Sequence, residues 1–379
     1  MTRQDWRPEW FTGKTINEPI FCLEFLERYK LAYTENSFFT TEGRVTNENG
    51  MRQTIYKHLE PYIVTGMSKK VDDIMKDLRI KAQVKELSPQ TDRIHVQNGT
   101  VFLDGRFSEA KNEIVRSRFP VRFNPNAEKP EHWLKFLSEL FWSEDIPTLQ
   151  EFIGYCLIPS NAGQKMMVIK GSGGEGKSQI GNVLSRLFGP NAKDGSVGKI
   201  SENPFARADL EHVHLMIDDD MRLEALRQTN YIKAIVTAKG KMDLERKGKQ
   251  SYQGYMYARI LAFSNGDLVS LYDRSDGFFR RQLILTTKRK PPDRIDDPDL
   301  SEKLCEEMEG IFLWALAGLL RLVKNNFQFT ESGRARLNRE MVKRDANNIE
   351  LFLESRGYIV RSGTLYQLQG SVRCLLHLV

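Results

Sequence analysis

The stretch Gly171 to Ser178 reads GSGGEGKS and fits the spacing GxxxxGK[ST], whose chemistry is phosphate binding. The glycines Gly171, Gly173, Gly174 and Gly176 let the backbone N–H groups of the loop, those of Ser172 and Glu175 included, turn toward phosphate oxygens. A helix that follows adds the positive end of its dipole. Lys177 would reach the β- and γ-phosphates of a nucleotide, and the Ser178 hydroxyl would ligate Mg²⁺. The context fits the letters: KMMVIKG is a short apolar strand entering the loop, and KSQIGNVLSRLFG is a helix leaving it, stopped at Gly189-Pro190. A glycine-rich turn that merely precedes Lys-Ser would lack that frame.

Such a cradle needs carboxylates on a neighbouring strand, since the metal must be held and the attacking water oriented. In VHLMIDDDM the apolar Leu215, Met216 and Ile217 lead into Asp218, Asp219 and Asp220. Asp218 and Asp219 are the expected pair, with Asp218 joining Ser178 on the metal; which two of the three act is open at this stage. The bland alternative is an acidic helix start, where Asp stabilises the dipole. Another strand-like run, ARILAFSN, ends in Asn265, placed to hold the attacking water or the γ-phosphate. In DGFFRRQLIL, Arg280 and Arg281 open a further apolar strand. They are candidates for a finger on a γ-phosphate, and because strand side chains alternate in direction only one of them can aim at a given phosphate. If the finger reaches a neighbour's nucleotide, the protein is an oligomer.

Between these elements, KAIVTAKGKMDLERKGKQSYQGYMYA concentrates Lys233, Lys239, Lys241, Arg246, Lys247 and Lys249 against Asp243 and Glu245, with Tyr252, Tyr255 and Tyr257 behind. Met242 and Leu244 alternate with the charges, which suits a hairpin whose basic tip could hold a phosphate backbone. A solvated surface loop is the competing reading.

The elements that must position these residues follow from pattern and length. At 379 residues the chain is too long for one compact core, and 28% charged with 40% hydrophobic residues is ordinary for a globular protein. The net charge of +6 points mildly to a polyanionic partner. Cys22, Cys156, Cys305 and Cys374 are far apart and form no CxxC pair, so neither a zinc knuckle nor a disulfide framework is suggested and a reducing cytoplasm fits best. The six histidines are scattered, and although His212 and His214 could share a strand face, no histidine metal site is expected. IFLWALAGLLRLV is too short to span a bilayer and reads as a buried helix, so no membrane role is expected. Residues 1 to about 90 read as helical and mixed; Ile94, Val96, Val101 and Leu103 flank an Asn98-Gly99 turn; KRKPPDRIDDPDL marks an exit from the central block. Alternation of strands and helices between them predicts a mostly parallel sheet with helices on its faces.

From about Ile94 to Leu285 the chain resembles the helicase part of the phage and plasmid primase-helicase family, the superfamily 3 branch of AAA+ ATPases that includes the poxvirus-type proteins. VQNGTVFLDGRF, VRFNPNAEKPEHWLKFLSEL and LQEFIGYCLIPSNAGQKMMVIKGSGGEGKS look like the family's lead-in to its P-loop. YIKAIVTAKGKMDLERKGK looks like its DNA-contacting segment, with Lys233 and Lys247 at the motif's lysine positions; AFSN is similar to its sensor strand and DGFFRRQLIL to its arginine-finger strand. Asp stands where the family often has Glu after the acidic strand. No primase catalytic region precedes the helicase part, so priming is not expected of this chain, and NNIELFLESRGYIVRSGTLYQLQG looks like the opening of a winged helix that the remaining residues are too few to complete.

The resemblance implies an α/β fold: an AAA+ P-loop domain with a central, mostly parallel sheet over residues 131–325, a mainly helical N-terminal domain over 1–130, and a short winged-helix-like remnant over 326–379. It implies ATP and Mg²⁺, a hexameric ring, single-stranded and forked DNA as partners, a separate primase or polymerase, 3′ to 5′ movement, and the cytoplasm of a bacterial host. The leading expectation is a replicative DNA helicase of a mobile element; the rivals are an origin-binding or loading factor without processive unwinding and a small-molecule P-loop kinase.

Overall fold

The computed structural model describes residues 7–221, 229–265, 276–345, 358–361 and 364–367. The chain parts into two compact units, Met1–Ala127 with Arg186–Asn191, and Glu128–Ser185 with Ala192–Val379.

The first unit is mixed α/β, where the sequence suggested a mainly helical domain. Helix α1 (Glu18–Tyr29) begins at Asn17, whose side chain accepts the Ile20 N–H; it is followed by the short strands β1 (Ala32–Thr34), β2 (Ser37–Thr40) and β3 (Gly43–Arg44), which form an antiparallel sheet. Helices α2 (Glu48–Leu59) and α3 (Met67–Lys81) then pack beside α1, and α3 buries Val71, Ile74, Met75 and Leu78, the spacing of one helix face. These join Phe21, Phe25, Phe38 and Ile55 in one core. Strands β4 (Arg93–Val96), β5 (Gly99–Phe102) and β6 (Phe107–Ser108) form a second antiparallel sheet.

The turn of that sheet differs by one residue from the expected Asn98-Gly99. Val96 pairs with Gly99, so the turn is Gln97-Asn98 and Gly99 already belongs to β5. Two contacts fix it. The Asn98 amide clamps the backbone of Phe123, accepting its N–H at 2.8 Å and donating to its carbonyl at 2.9 Å, and a Cβ at Gly99 would collide with the Ser108 carbonyl and the Phe107 ring.

The second unit opens with helices α4 (Glu131–Leu140) and α5 (Ile146–Tyr155). Strand β7 (Met166–Lys170) enters the glycine loop, and α6 (Lys177–Phe188) leaves it. There follow β8 (Ala192–Asp194), the short helices α7 (Val197–Glu202) and α8 (Pro204–Ala208), β9 (Leu215–Asp218), α9 (Asn230–Thr237), the hairpin β10 (Gly240–Leu244) and β11 (Tyr252–Met256), β12 (Arg259–Ser264), α10 (Asp276–Phe279) and β13 (Gln282–Thr286). The chain closes with α11 (Leu300–Glu306), α12 (Met308–Lys324), α13 (Gly333–Asp345) and an antiparallel pair, β14 (Tyr358–Arg361) and β15 (Thr364–Gln367). The rest of the expected winged-helix segment lies outside the described residues.

Among the described residues, five strands form the central sheet in the order β13-β7-β12-β9-β8, with every pairing parallel. Side-chain alternation sorts its two faces. Ile217 and Phe263 lie against Gly181 of α6, whereas Met216, Ala262, Val168 and Ile284 join the core on the other face with Val197, Ile200, Ile232 and Ile235. The apolar run read as a buried helix is α12. It crosses α5 so closely that a Cβ at Gly154 would overlap the α12 backbone at Ala315 and Leu319, and one at Gly318 would overlap that of Gln150.

Two buried imidazoles make this fold sensitive to acid. Burial, with Arg118 and Arg93 nearby, pushes His95 down to about 4; burial and Arg259 push His214 down to about 3. Each folded value lies below the unfolded one, so the unfolded chain takes up the proton first and stability falls as pH drops below 6.5. Each group removes roughly 2 kcal/mol between pH 6.5 and 5. Denaturant titrations at pH 7 and pH 5 should show the loss, and His214→Gln should shrink it by about that amount; an undiminished loss in the variant would contradict a neutral His214.

Candidate functional site

The cradle sits at the carboxyl edge of the central sheet, between the ends of β13 and β12. Gly173, Gly174 and Gly176 take φ of 104°, 78° and 106°, which side-chain-bearing residues rarely adopt, and α6 starts at Lys177. The Lys177 ammonium is buried; it donates to Glu175 Oε2 at 2.9 Å and to Asn265 Oδ1 at 3.3 Å. The Glu175 carboxylate also accepts the N–H groups of Ser172 and Gly173, the latter at 3.0 Å. Burial alone would raise the Glu175 carboxyl, but the hydrogen bonds from Lys177 and Ser172 outweigh it and hold the group below the usual carboxylate range. Thr287, just past β13, brings a buried hydroxyl to the same place; a Cβ built on Gly171 would come within 2.8 Å of Lys177 Nζ, Thr287 Oγ1 and Glu175 Oε2. Outside the loop, Arg294 donates to the Glu175 carbonyl at 2.9 Å and the Gly174 carbonyl at 3.2 Å.

The three aspartates separate by environment. Asp218 ends β9, is buried, and accepts the Val197 N–H at 2.7 Å at the start of α7. It shares its parity with Met216, so it faces away from α6. Burial pushes its carboxyl up, against the pull of those backbone hydrogen bonds. Asp219 and Asp220 are exposed in the turn beyond the strand, a turn fastened to the sheet by the Met221 N–H donating to the Phe263 carbonyl at 2.8 Å. Asp219, unlike Asp218, is therefore open to solvent at the carboxyl end of β9.

Arg280 and Arg281 stand at the amino end of β13. Gln282 pairs with Met166 and Thr286 with Lys170, so the arginines lie at the sheet edge opposite their own cradle. Five residues of strand put about 15 Å of backbone between them. Arg280 is exposed; the Arg281 guanidinium donates to the Gly277 carbonyl. The Arg281 carbonyl accepts the Met166 N–H at 2.9 Å and that of Arg280 accepts Lys165 Nζ at 2.5 Å, which fastens this corner to β7.

The basic segment forms the β10–β11 hairpin, Gly240 pairing with Met256 and Leu244 with Tyr252. Its inner face packs Met242, Leu244 and Met256 on the core. Lys239, Lys241 and Lys247 are exposed, Lys241 with its ammonium 4.8 Å from the centre of the Tyr255 ring, and Lys233 is half-buried on α9. Arg246 is spent otherwise: it donates to the buried Glu211 carboxylate at 2.8 Å, as does the Tyr252 hydroxyl at 2.7 Å. The base is held by Asn161, whose amide donates to the carbonyls of Ile235, Ala238 and Met256.

Sequence reasoning missed Arg294, which lies in a segment that reads as a linker, and Thr287, whose only signal is its place just after an apolar strand. It also missed Arg259, a buried guanidinium that donates to the carbonyls of Cys156, Ile158, Ser160 and Tyr257 at the end of α5 and the foot of β12.

Two families match parts of this chain. Residues 29–142 match the family described as D5 N terminal like. Residues 169–281 match a family of unknown function, DUF5906, and that span runs from the end of β7 through the cradle, the acidic strand and the hairpin to Arg281. Each match covers under a third of the chain, so these are likenesses of two separate parts of it. They bear out the resemblance to the phage and plasmid primase-helicases. No curated protein gives a significant match to this chain. Among solved structures it is similar to the apo A form of the NrS-1 C-terminal region, at 11% identity and a TM-score of 0.57 over 93% of this chain and 79% of that one. A further apo structure of the NrS-1 C-terminal region matches at 11% identity and a TM-score of 0.53, over 92% and 84% of the two chains. That likeness carries the fold, an AAA+-like parallel-sheet core with a mixed α/β N-terminal region. No described helix is long and apolar enough to cross a membrane.

Arg246→Ala leaves Glu211, 2% exposed, with one donor fewer, but the Arg246 side chain is itself 39% exposed. The expected loss is therefore about 1–2 kcal/mol, short of a fully buried pair. Urea unfolding checks it, and a variant as stable as the parent would show that the Glu211 anchor does not hold the hairpin.

Proposed function

We propose that this chain is an ATP-dependent DNA helicase that translocates on single-stranded DNA, in the 3′ to 5′ direction, during replication of a phage, plasmid or other mobile element. In this reading the N-terminal domain extends to about residue 130, the motor covers 131–325 and a C-terminal region 326–379. The observation that carries it is the convergence of the loop N–H groups, Lys177 and Asn265 on one position at the carboxyl edge of a parallel sheet. The β- and γ-phosphates of ATP would take the N–H groups of Gly171 to Gly176 and the Lys177 ammonium. Ser178 and Asp219 are the residues suited to hold Mg²⁺, which when bound supplies neutralising charge. Asp218 positions α7 through Val197, and Asn265 orients the attacking water or the γ-phosphate.

The arginines support an oligomer. Standing at the far edge of the sheet, Arg281 or Arg280 cannot touch the phosphates of its own subunit, so a finger role requires a neighbour and a closed ring, with six subunits the family's number. The hairpin lysines Lys239, Lys241 and Lys247, with Lys233 behind them, would hold the phosphate backbone in the channel. Forked DNA is the substrate, a separate primase or polymerase the partner, and a bacterial cytoplasm the setting.

Strand displacement on forked DNA tests the reading. Unwinding driven by ATP is expected; assembly on DNA without displacement would favour a loading factor, and ATP turnover indifferent to single-stranded DNA would favour a small-molecule kinase. Lys177→Ala and Asp219→Asn should each abolish turnover. Arg281→Ala should lower it by about 1000-fold while sparing nucleotide binding; normal turnover would move the finger to Arg280. Lys241→Ala and Lys247→Ala should each reduce the salt dependence of DNA binding by about one in log–log slope. An unchanged slope would remove the hairpin from the DNA path.

A further inference from the structure

The phosphate cradle holds an anion of its own. The Glu175 carboxylate, in a side chain that is 3% exposed, accepts the Ser172 and Gly173 N–H groups and the Lys177 ammonium, the donors that a nucleotide's phosphate would take. A second, independent feature marks the same spot. Thr287 is 9% exposed, and its hydroxyl has no hydrogen-bond partner among the described residues although it lies against the cradle wall at Gly171. A buried hydroxyl left unpaired costs free energy, so the spot is built for a ligand with more acceptor atoms than one carboxylate offers.

We propose that Glu175 is an internal competitor for the phosphate subsite: nucleotide enters by expelling this carboxylate, and the carboxylate returns as product leaves, with Thr287 donating to the incoming phosphate. This rests on the nucleotide-binding reading above. The backbone allows the exchange. Arg294 grips the carbonyls of Gly174 and Glu175 from outside, so the loop stays in place while only the Glu175 side chain rotates. The exchange also preserves the electrostatics of the site, because Lys177 keeps an anionic partner in both states and its charge is never buried alone. Asn265 touches Lys177 from the other side and is free to keep that contact throughout.

Affinity is then a difference between two anions competing for the same donors, and removing one of them strengthens binding of the other. Glu175→Gln and Glu175→Ala should bind ADP and inorganic pyrophosphate at least about tenfold more tightly than the parent by isothermal titration, with ADP release slowed by a similar factor. Thr287→Val should weaken pyrophosphate binding in the Glu175→Gln background. Equal or weaker binding by both Glu175 variants overturns the proposal. A measurement on the unaltered protein covers the case in which the variants do not fold: the Ser172 and Gly173 amides should exchange slowly with deuterium in the absence of any ligand. Fast exchange there also overturns it. The two readings fail differently. A parent protein that binds neither ADP nor pyrophosphate, yet protects those amides, defeats nucleotide binding and leaves the carboxylate in the cradle as a permanent fixture, which defeats the exchange as well; tight parent binding with unimproved variants defeats the exchange alone.

Discussion

All five strands of the central sheet run the same way, and that single direction sorts the chemistry of the chain into two edges. Parallel strands place every strand-to-helix loop at the carboxyl edge, which is why the glycine loop after β7, the acidic turn after β9, Asn265 after β12 and Thr287 after β13 meet although they lie far apart in sequence. The amino edge collects the opposite set: the foot of the hairpin, Arg259 and the two arginines before β13. An antiparallel strand at any of these positions would carry its residues to the wrong side. The short pairing of β13 with β7 therefore decides that the arginines and the cradle of this chain do not meet.

The amino edge is made rigid by polar groups rather than by apolar packing. Arg259 is fully buried and faces carbonyls, not a carboxylate; its flat fork matches the divergent acceptors at the end of α5, which have no helical donors of their own. Lysine, with its compact ammonium, could not reach the same set. His214 adds its ring nitrogen to the Cys156 carbonyl at 3.0 Å, so the last turn of α5 is tied to both β9 and β12. Asn161 and the Glu211 anchor then hold the hairpin at its base and along its length, leaving Lys247 and its neighbours at the tip in solvent. A stiff base with a charged tip is the form required of a lever.

Much of this arrangement was legible in the sequence because it is local. Glycine spacing gives the cradle, an apolar run ending in aspartates gives β9, and alternation of Met242 and Leu244 with charges gives the hairpin. What stayed hidden depends on tertiary contacts. Strands β1 to β3 are two to four residues long, too short for alternation to register against the helical periodicity on either side. The turn at Gln97-Asn98 is displaced from the expected one because Asn98 answers to Phe123. Parity alone puts Met216 and Asp218 on one face, but only the placement of α7 shows which face that is. Glu175 occupies a position the motif leaves open to any residue, and Arg294 sits among prolines and charges that carry no periodicity at all.

The linkage between the two edges follows from what β7 touches at each end. At its carboxyl end it continues into the cradle; at its amino end the Met166 N–H and the Lys165 ammonium hold the carbonyls of Arg281 and Arg280. A strand flanked by two parallel neighbours is stiff along its length, since a shift of one residue would break both ladders and reverse every side chain. The glycine loop and the arginine corner are therefore held by the two ends of one strand at a fixed separation. In the proposed ring that corner would face the next subunit's nucleotide, with about 15 Å of a single strand between it and its own cradle.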